Sequence, residues 1–260
     1  MKILAITQAR VGSTRFPAKV LKPINGQSLL EIHLKRILNS KLISKVLVAT
    51  TNEVGAEKIE NIATKLGVNV FKGSLENVLE RFYRAAKPEN PDYVVRLTSD
   101  CPFIDPFVID KVIKYIIDEN LDYACNRMKP TYPDGLDVEV MKYSALTKAY
   151  KEATLGSEQE HVTPYIWKNS SFLGGSMFNS GCVLNDEDLS HIRLTVDTLD
   201  DFEVIEQLIE RLGTDAGWLD YVSEVIKHPE LSKKNKHLIR DAGYQLSLKH
   251  DQDIQEGEYE

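Results

Sequence analysis

The chain has 260 residues, a length that suits one large α/β domain or a domain with a small appendage, and 42% are hydrophobic, enough for a sizeable core. Charged residues at 27% and a mean hydropathy of -0.28 describe an ordinary globular protein, and no apolar run approaches the roughly 20 residues that span a bilayer. The net charge of -7 argues against a nucleic-acid surface but is unevenly spread: residues 1–50 carry nine Lys/Arg against one acid, Glu31, which leaves them at +8 and the remainder at -15.

Residues 1–6 are too short and too soon interrupted for a signal peptide and read as a first strand, over residues 2–7. A polar loop with Gly12, Ser13 and Pro17 follows. Ser28 and Glu31 form a capping box ahead of a helix whose apolar face runs from Leu29 to Leu38. Residues 45–51 predict a second buried strand, 54–66 a helix closed by Gly67, 68–71 a third strand, 77–86 a helix and 93–98 a fourth strand. Strand and helix therefore alternate over the first hundred residues, which predicts a Rossmann-like, mostly parallel sheet with helices on both faces. Such folds bind ligands outside the carboxyl ends of their strands. Two polar segments fall there, residues 8–19 and 99–102.

Residues 106–119 predict an amphipathic helix capped by Asp105, 123–126 a strand, 127–135 a loop, 138–140 a strand and 144–153 a helix. Residues 161–167 read as a helix, 172–183 as an irregular strand pair, 193–196 as a buried strand and 199–212 as a helix. From 232 a short helix leads into residues 251–260, whose five acids and no base predict disorder. The division expected is a catalytic unit over 1–230, with an insertion at about 123–183, followed by 231–260. The three cysteines, Cys101, Cys125 and Cys182, form neither a CxxC pair nor a zinc pattern, so free thiols and a cytoplasmic location are expected. Trp167, Phe172, Phe178 and Trp218 read as core or interface packing.

Residues 9–19 place Arg10, Arg15, Lys19, two hydroxyls and Gly12 directly after a strand. A triphosphate needs several fixed donors to neutralise it and to stabilise a leaving pyrophosphate. Glycine lets backbone amides approach phosphate oxygens. The Walker spacing is absent, and on composition alone phosphate binding stands level with a solvated loop. Asp100 and Asp197 each follow a predicted strand, and two such carboxylates hold Mg²⁺ together with phosphate oxygens. The competing reading for each is a helix cap, stronger for Asp197, where Thr198 and Asp200 compete for the role.

The motifs Gln8-Ala9-Arg10-x-x-Ser13-Thr14-Arg15-x-Pro17-x-Lys19, residues 97–102, residues 132–139, residues 160–164 and Arg193-x-Thr195-Val196-Asp197-Thr198 together resemble the cytidylyltransferase family of the CMP-sialic acid and CMP-Kdo synthetases. They are most like its spore-coat polysaccharide branch, and they span residues 3 to about 210. The resemblance implies CTP as nucleotide, with Arg10, Ser13, Arg15 and Lys19 on its phosphates and the Ala9 backbone near the base. It implies Mg²⁺ on Asp100 and Asp197, Arg81 lining the nucleotide pocket, and a homodimer formed through residues 123–183. The sialate and Kdo enzymes carry a proline where this chain has Gln8, and they lack the 132–139 segment. Both departures bear on the acceptor.

The expected reaction is attack of an acceptor oxygen on the α-phosphorus of CTP, with Arg10, Arg15 and Lys19 stabilising the leaving pyrophosphate. The expected acceptor is a small acidic sugar. Its pocket is assigned to residues 126–139 and 158–165. Asp134, Asp137 and Glu139 read equally as hydroxyl contacts, a second metal contact or a carboxylate-rich turn. Asn126 and Arg127 are candidates for an acceptor carboxylate. His161 stands as a base, a ligand contact or a structural residue at a helix start. The alternative activity is a nucleotide-sugar-dependent glycosyltransferase of related fold, against which the missing DxD triplet at 99–101 counts. A noncatalytic nucleotide-binding subunit is disfavoured by the intact cationic loop and both aspartates.

Overall fold

The computed structural model describes residues 1–13 and 15–257. In chain order its elements are β1 (Ile3–Gln8), β2 (Pro23–Ile24), β3 (Gln27–Ser28), α1 (Leu29–Ile37), β4 (Lys45–Thr51), α2 (Ala56–Lys65), β5 (Asn69–Gly73), α3 (Val78–Ala86), β6 (Tyr93–Thr98), α4 (Pro106–Asp118), β7 (Tyr123–Cys125), β8 (Glu139–Lys142), α5 (Tyr143–Glu152), α6 (Gly156–His161), α7 (Pro164–Lys168), β9 (Ser180–Cys182), α8 (Leu199–Leu212), α9 (Trp218–Lys227) and α10 (Ala242–Gly257). Seven strands form one sheet in the order β5-β4-β1-β6-β8-β7-β9. The first four are parallel, β8 runs antiparallel to both β6 and β7, and β9 is parallel to β7.

The parallel strands are buried on both faces. In β1, Leu4 and Ile6 pack with Phe82 of α3 on one side, while Ile3 and Ala5 pack with Leu30 and Leu34 of α1 on the other. This explains the near-continuous apolar runs of the sequence. Helix starts follow local chemistry. Ser28 accepts from the Glu31 amide at 3.1 Å, Asn77 from Glu80 at 2.7 Å, and Asp105 from Phe107 at 2.9 Å with Pro106 at the first helical position.

The second half departs from the sequence reading in several places. Residues 193–196 are buried and extended but make only a bridge at Arg193, because their amides turn to loop carbonyls: Leu194 to Asp134 and Val196 to Asp100. Gly135 permits that approach. It lies at φ +108°, and a Cβ there would sit 2.6 Å from the Leu194 carbonyl carbon. Residues 161–167 are not one helix: Val162, at φ +72°, separates α6 from α7. Strands within 123–183 join the central sheet. Residues 251–257 are the last turns of α10, at whose start the Asp251 carboxylate accepts from the Ser157 amide of α6 at 3.1 Å. Residues 258–260 lie outside the described residues.

β1 has β4 on one side and β6 on the other, so the chain winds away from it in both directions. The carboxyl ends of β1 and β6 are therefore the switch point where such sheets open a crevice.

Candidate active site

The cationic side of the site is built on the loop after β1. Ala9 still follows the sheet, its amide donating to Ala49 O at 3.1 Å. The chain then leaves the sheet, and Arg10, Ser13 and Arg15 line a cavity of about 710 Å³. Arg81 of α3 faces it from across the cavity and is 2% exposed, with one nitrogen donating to Ser74 O at 2.6 Å and its Nε unpartnered. Burial, reinforced by the charge of Arg10, lowers its pKa to about 10, so it stays cationic near neutrality. Thr14 lies outside the described residues.

Asp100 and Asp197 come together although 97 positions separate them in sequence. Lys19 Nζ joins them, at 2.9 Å from Asp100 Oδ2 and 2.8 Å from Asp197 Oδ1, and also donates to Val196 O at 2.8 Å. Burial opposes the charge on Lys19, but the two carboxylates outweigh it and raise its pKa. Burial likewise opposes the charge on Asp100, and Lys19 with Thr98 overrides it, holding the carboxyl well below its usual range. Arg15 reaches Asp197 Oδ1 at 2.9 Å. Asp197 caps no helix: Thr198 takes that role for α8, accepting from the Asp201 amide at 3.3 Å.

A second cavity, of about 210 Å³, adjoins the first. Gln8, Arg15, Thr98, Asp100, His161 and Asp197 line both, so the two are lobes of one cleft that meet at the strand-end carboxylates. The first lobe sets Arg10, Arg15, Lys19 and Arg81 around a space open to a polyanion. The second is walled by Arg96, Arg127 and Arg193 interleaved with Asp134, Asp137 and Glu139.

The sequence model of the cytidylyltransferase family matches residues 4–240, most of the chain and every residue of the first lobe's cationic set. The chain belongs to the cytidylyltransferase family. It is 39% identical over 208 residues to an uncharacterized protein of Methanocaldococcus jannaschii, covering 80% of this chain and 83% of that one. It is 33% identical over 216 residues to a spore coat polysaccharide biosynthesis protein of Bacillus subtilis, covering 81% and 88%. Among solved structures, a cytidylyltransferase from Leptospira borgpetersenii superposes with a TM-score of 0.83 at 34% identity, covering 89% of this chain and 96% of that one. A CMP:2-keto-3-deoxy-manno-octonic acid synthetase complexed with CTP shares the fold, with a TM-score of 0.62 at 17% identity. The molecule is thus a nucleotidyltransferase, and the glycosyltransferase alternative gives way.

In this cytidylyltransferase three residues of the expected site sit differently from the sequence reading. Gly12 is not among the residues lining the cavity; a side chain there would meet the Glu53 carboxylate. Lys19 does not point its donors at phosphate, since all three are engaged by Asp100, Asp197 and Val196 O. Asn126 is fully buried and spans a loop, donating to Leu136 O and accepting from the Val138 amide, both at 2.8 Å, and it lines neither cavity.

The other acceptor-side residues do converge. Glu139 is 1% exposed; it pairs with Arg96 and accepts from the Tyr123 and Thr163 hydroxyls, each at 2.6 Å. Burial raises its pKa, but Arg96 and Arg127 prevail and hold it low. Asp134 is bound by Arg193 at 2.6 Å and Asp137 by Arg240. Burial, then the neighbouring Asp137, lift Asp134 to about 7 against the pull of Arg240 and Arg193. His161 is lowered to about 4 by burial and the charge of Arg96, against Glu160, and is neutral near pH 7. Ser247 donates to Glu160 at 2.6 Å, so His161 Nε2 donates to Ser247 Oγ at 3.0 Å and Nδ1 keeps its lone pair. The positive φ at Val162, a strained choice for a β-branched residue, turns the chain between His161 at the cleft and Thr163 on Glu139.

Arg96 and Arg193 went unassigned in the sequence. Arg193 joins Asp134, Asp197 and Asp201 at 2.6, 3.1 and 2.8 Å, tying the second lobe to the carboxylate pair. A charge set inside an apolar strand run, as Arg96 is, already requires a buried counter-ion and is the available signal.

Among the described residues no three His, Cys, Asp or Glu are grouped to hold a metal. Asp100 and Asp197 supply two hard oxygen donors beside an open cavity, with side chains 26% and 21% exposed. That donor set fits Mg²⁺, which takes one or two carboxylates and completes its shell with phosphate oxygens and water.

Proposed function

We propose that the protein transfers CMP from CTP to an acidic sugar with release of pyrophosphate, for surface polysaccharide or glycan synthesis. The observation that carries this reading is the two-lobed cleft, cationic on one side and arginine-walled on the other, joined at Asp100 and Asp197. The names of relatives point the same way, to spore coat polysaccharide biosynthesis in Bacillus subtilis and to 3-deoxy-manno-octulosonate cytidylyltransferase in Elusimicrobium minutum, the latter 35% identical over 136 residues.

In this reading Arg10, Ser13 and Arg15 hold the triphosphate, and Arg81 closes the nucleotide lobe. An acceptor hydroxyl oxygen bonds to the α-phosphorus as the bond to pyrophosphate breaks, its proton passes to solvent, and the arginines meet the charge that develops on the leaving group. Asp100 and Asp197 would hold Mg²⁺, which would neutralise phosphate charge. Lys19 keeps the two carboxylates together. His161, neutral, receives a hydrogen bond from the acceptor; its lowered pKa makes it a weak general base. Arg127 and Arg96 meet the acceptor's carboxylate.

The protein acts in the cytoplasm as a homodimer in this reading. In support, no helix among the described residues is long and apolar enough to cross a membrane, and Phe172, Leu173 and Met177 cluster exposed within residues 123–183.

Pyrophosphate release with CTP, ATP, GTP and UTP against a panel of sugar acids tests the activity. The expected result is release with CTP and at least one acid, abolished by Arg15→Ala or Asp100→Ala in folded protein. No release with any triphosphate across the panel would refute it.

A further inference from the structure

The residues just before and within α10 form a wall of the second lobe. Asp241, Ala242, Gly243 and Tyr244 line it, while Gly243 and Ser247 also line the first. This wall stands outside the family match, which ends at residue 240. It is nevertheless fixed to the catalytic body by polar contacts. Arg240 pairs with Asp137 and donates to Tyr132 O at 3.2 Å, Ser247 meets His161 and Glu160, and Asp251 accepts from Ser157. The Tyr244 ring sits edge-on against His161 and Trp167, with centroids 5.2 and 5.8 Å apart.

Asp241 is the residue of this wall that meets the acceptor chemistry. Its carboxylate pairs with Arg127. The two side chains differ in exposure, 39% for Asp241 and 18% for Arg127, so the carboxylate comes from the solvent side while the guanidinium belongs to the lobe. The Arg127 guanidinium is only 3.9 Å from Glu139, whose oxygens are already engaged by Arg96, Tyr123 and Thr163. Asp241 is thus the partner of Arg127 that can leave without stranding a buried charge. Its backbone is left-handed, φ +59°, directly before α10. Aspartate tolerates that conformation better than most residues, but it is still sparsely populated. Beside the pair, Tyr244 also lines the lobe.

We propose that Asp241 sets the selectivity of the acceptor site: its carboxylate holds Arg127 in the acceptor-free protein, and the acceptor's carboxylate takes that place. The inference rests on the reading of the acceptor as an acidic sugar. Exchanging one carboxylate for another leaves the charge of the lobe unchanged. A neutral sugar has no group to replace the pair and would leave Arg127 with Asp241, which selects for an anion. The chain's own aspartate is present at high effective concentration and lowers the affinity for every carboxylate that competes with it.

Pyruvate, a small 2-oxo acid, tests this by titration against the full-length protein. Asp241→Asn removes the charge and keeps a residue that accepts the left-handed backbone. It is expected to bind pyruvate about tenfold more tightly than the wild type, the magnitude of one charge-assisted contact. The double variant Asp241→Asn/Arg127→Gln is expected to lose that gain. Asp241→Gly, which relieves the backbone as well, is expected to behave as Asp241→Asn does. An Asp241→Asn protein that binds pyruvate no better than the wild type, or a gain that persists without Arg127, overturns the proposal. CTP titrated into the same proteins reports separately on the nucleotide lobe. Failure of the wild type to bind CTP would sink the cytidylyltransferase reading, whereas an absent pyruvate gain with CTP binding intact sinks only the role of Asp241.

Discussion

Lys19 holds Asp100 and Asp197 on one ammonium, and its side chain is only 14% exposed. Removing that charge leaves two carboxylates facing each other with Arg15 and Arg193 as the remaining counter-ions on Asp197. Lys19→Met is expected to cost about 2 kcal/mol of stability. It is also expected to lower turnover at least about 100-fold, because the carboxylates lose their fixed separation. Urea unfolding and steady-state kinetics check both; a variant of wild-type turnover would remove Lys19 from the site. His33 gives a pH signature. It is fully buried between Thr7 Oγ1 and Cys101 O, each 2.8 Å away, and burial lowers its pKa from 6.5 to about 4. A depressed folded value means the unfolded chain binds the proton first. The stability it contributes is therefore complete above pH 6.5 and is lost as pH falls toward about 4. The loss is on the order of 3 kcal/mol. His161, lowered in the same sense, adds to it. The urea midpoint of the wild type should fall more steeply between pH 7 and pH 4 than that of His33→Gln; equal slopes would contradict this.

At the scale of elements, β8 depends on one buried acid. Glu139 faces Arg96 in the β6–β8 register and is reached by hydroxyls from β7 and from the residue before α7. Glu139→Gln removes the charge while Arg96 stays buried, and is expected to cost about 3–5 kcal/mol in chemical denaturation. A cost under about 1 kcal/mol would show that Arg96 finds water instead. The same region marks the limit of what was legible in the sequence. The four long strands and the helices of the first hundred residues were readable because the strands are near-continuous apolar runs and the helices bury a periodic apolar face, two of them behind side-chain caps at Ser28 and Asn77; the two-residue strands β2 and β3 carry no such signal. Past residue 123 the strands are three or four residues long and take their place from partners far away in sequence. Residues 193–196 looked like a strand because they are apolar and buried, yet their amides are satisfied by loop carbonyls. The helical course of 251–257 was hidden for a similar reason: an acidic run looks unstructured until Ser157 supplies donors to Asp251. Among residues lining the cleft, Arg10, Arg15 and Asp100 stood out in the sequence from their place after a predicted strand, and Asp197 from its place after a buried apolar run. The engagement of Asn126 with the backbone and the bridging roles of Arg96 and Arg193 depend on long-range pairing that no local spacing encodes.

At the scale of the molecule, the sheet order sets β1 and β6 side by side with their carboxyl ends at the switch point, so one crevice receives the cationic loop and Asp100 together. The polypeptide from Arg193 to Asp197 brings the second carboxylate to the same place, fixed by Val196 N on Asp100 O at 2.8 Å. Charge follows this architecture. Of the cations in residues 1–50, Arg10, Arg15 and Lys19 line the first lobe, while in the second Asp134, Asp137 and Glu139 are each paired with an arginine. The central claim is that one cleft presents the α-phosphorus of CTP to an acceptor at the Asp100–Asp197 junction. A crystal structure of the protein with CTP and Mg²⁺ measures this directly. The account predicts the triphosphate against Arg10, Ser13 and Arg15, with the α-phosphorus beside Asp100 and Asp197 and facing the second lobe. A nucleotide bound with its α-phosphate turned away from that pair, or lodged in the arginine-walled lobe, would contradict it.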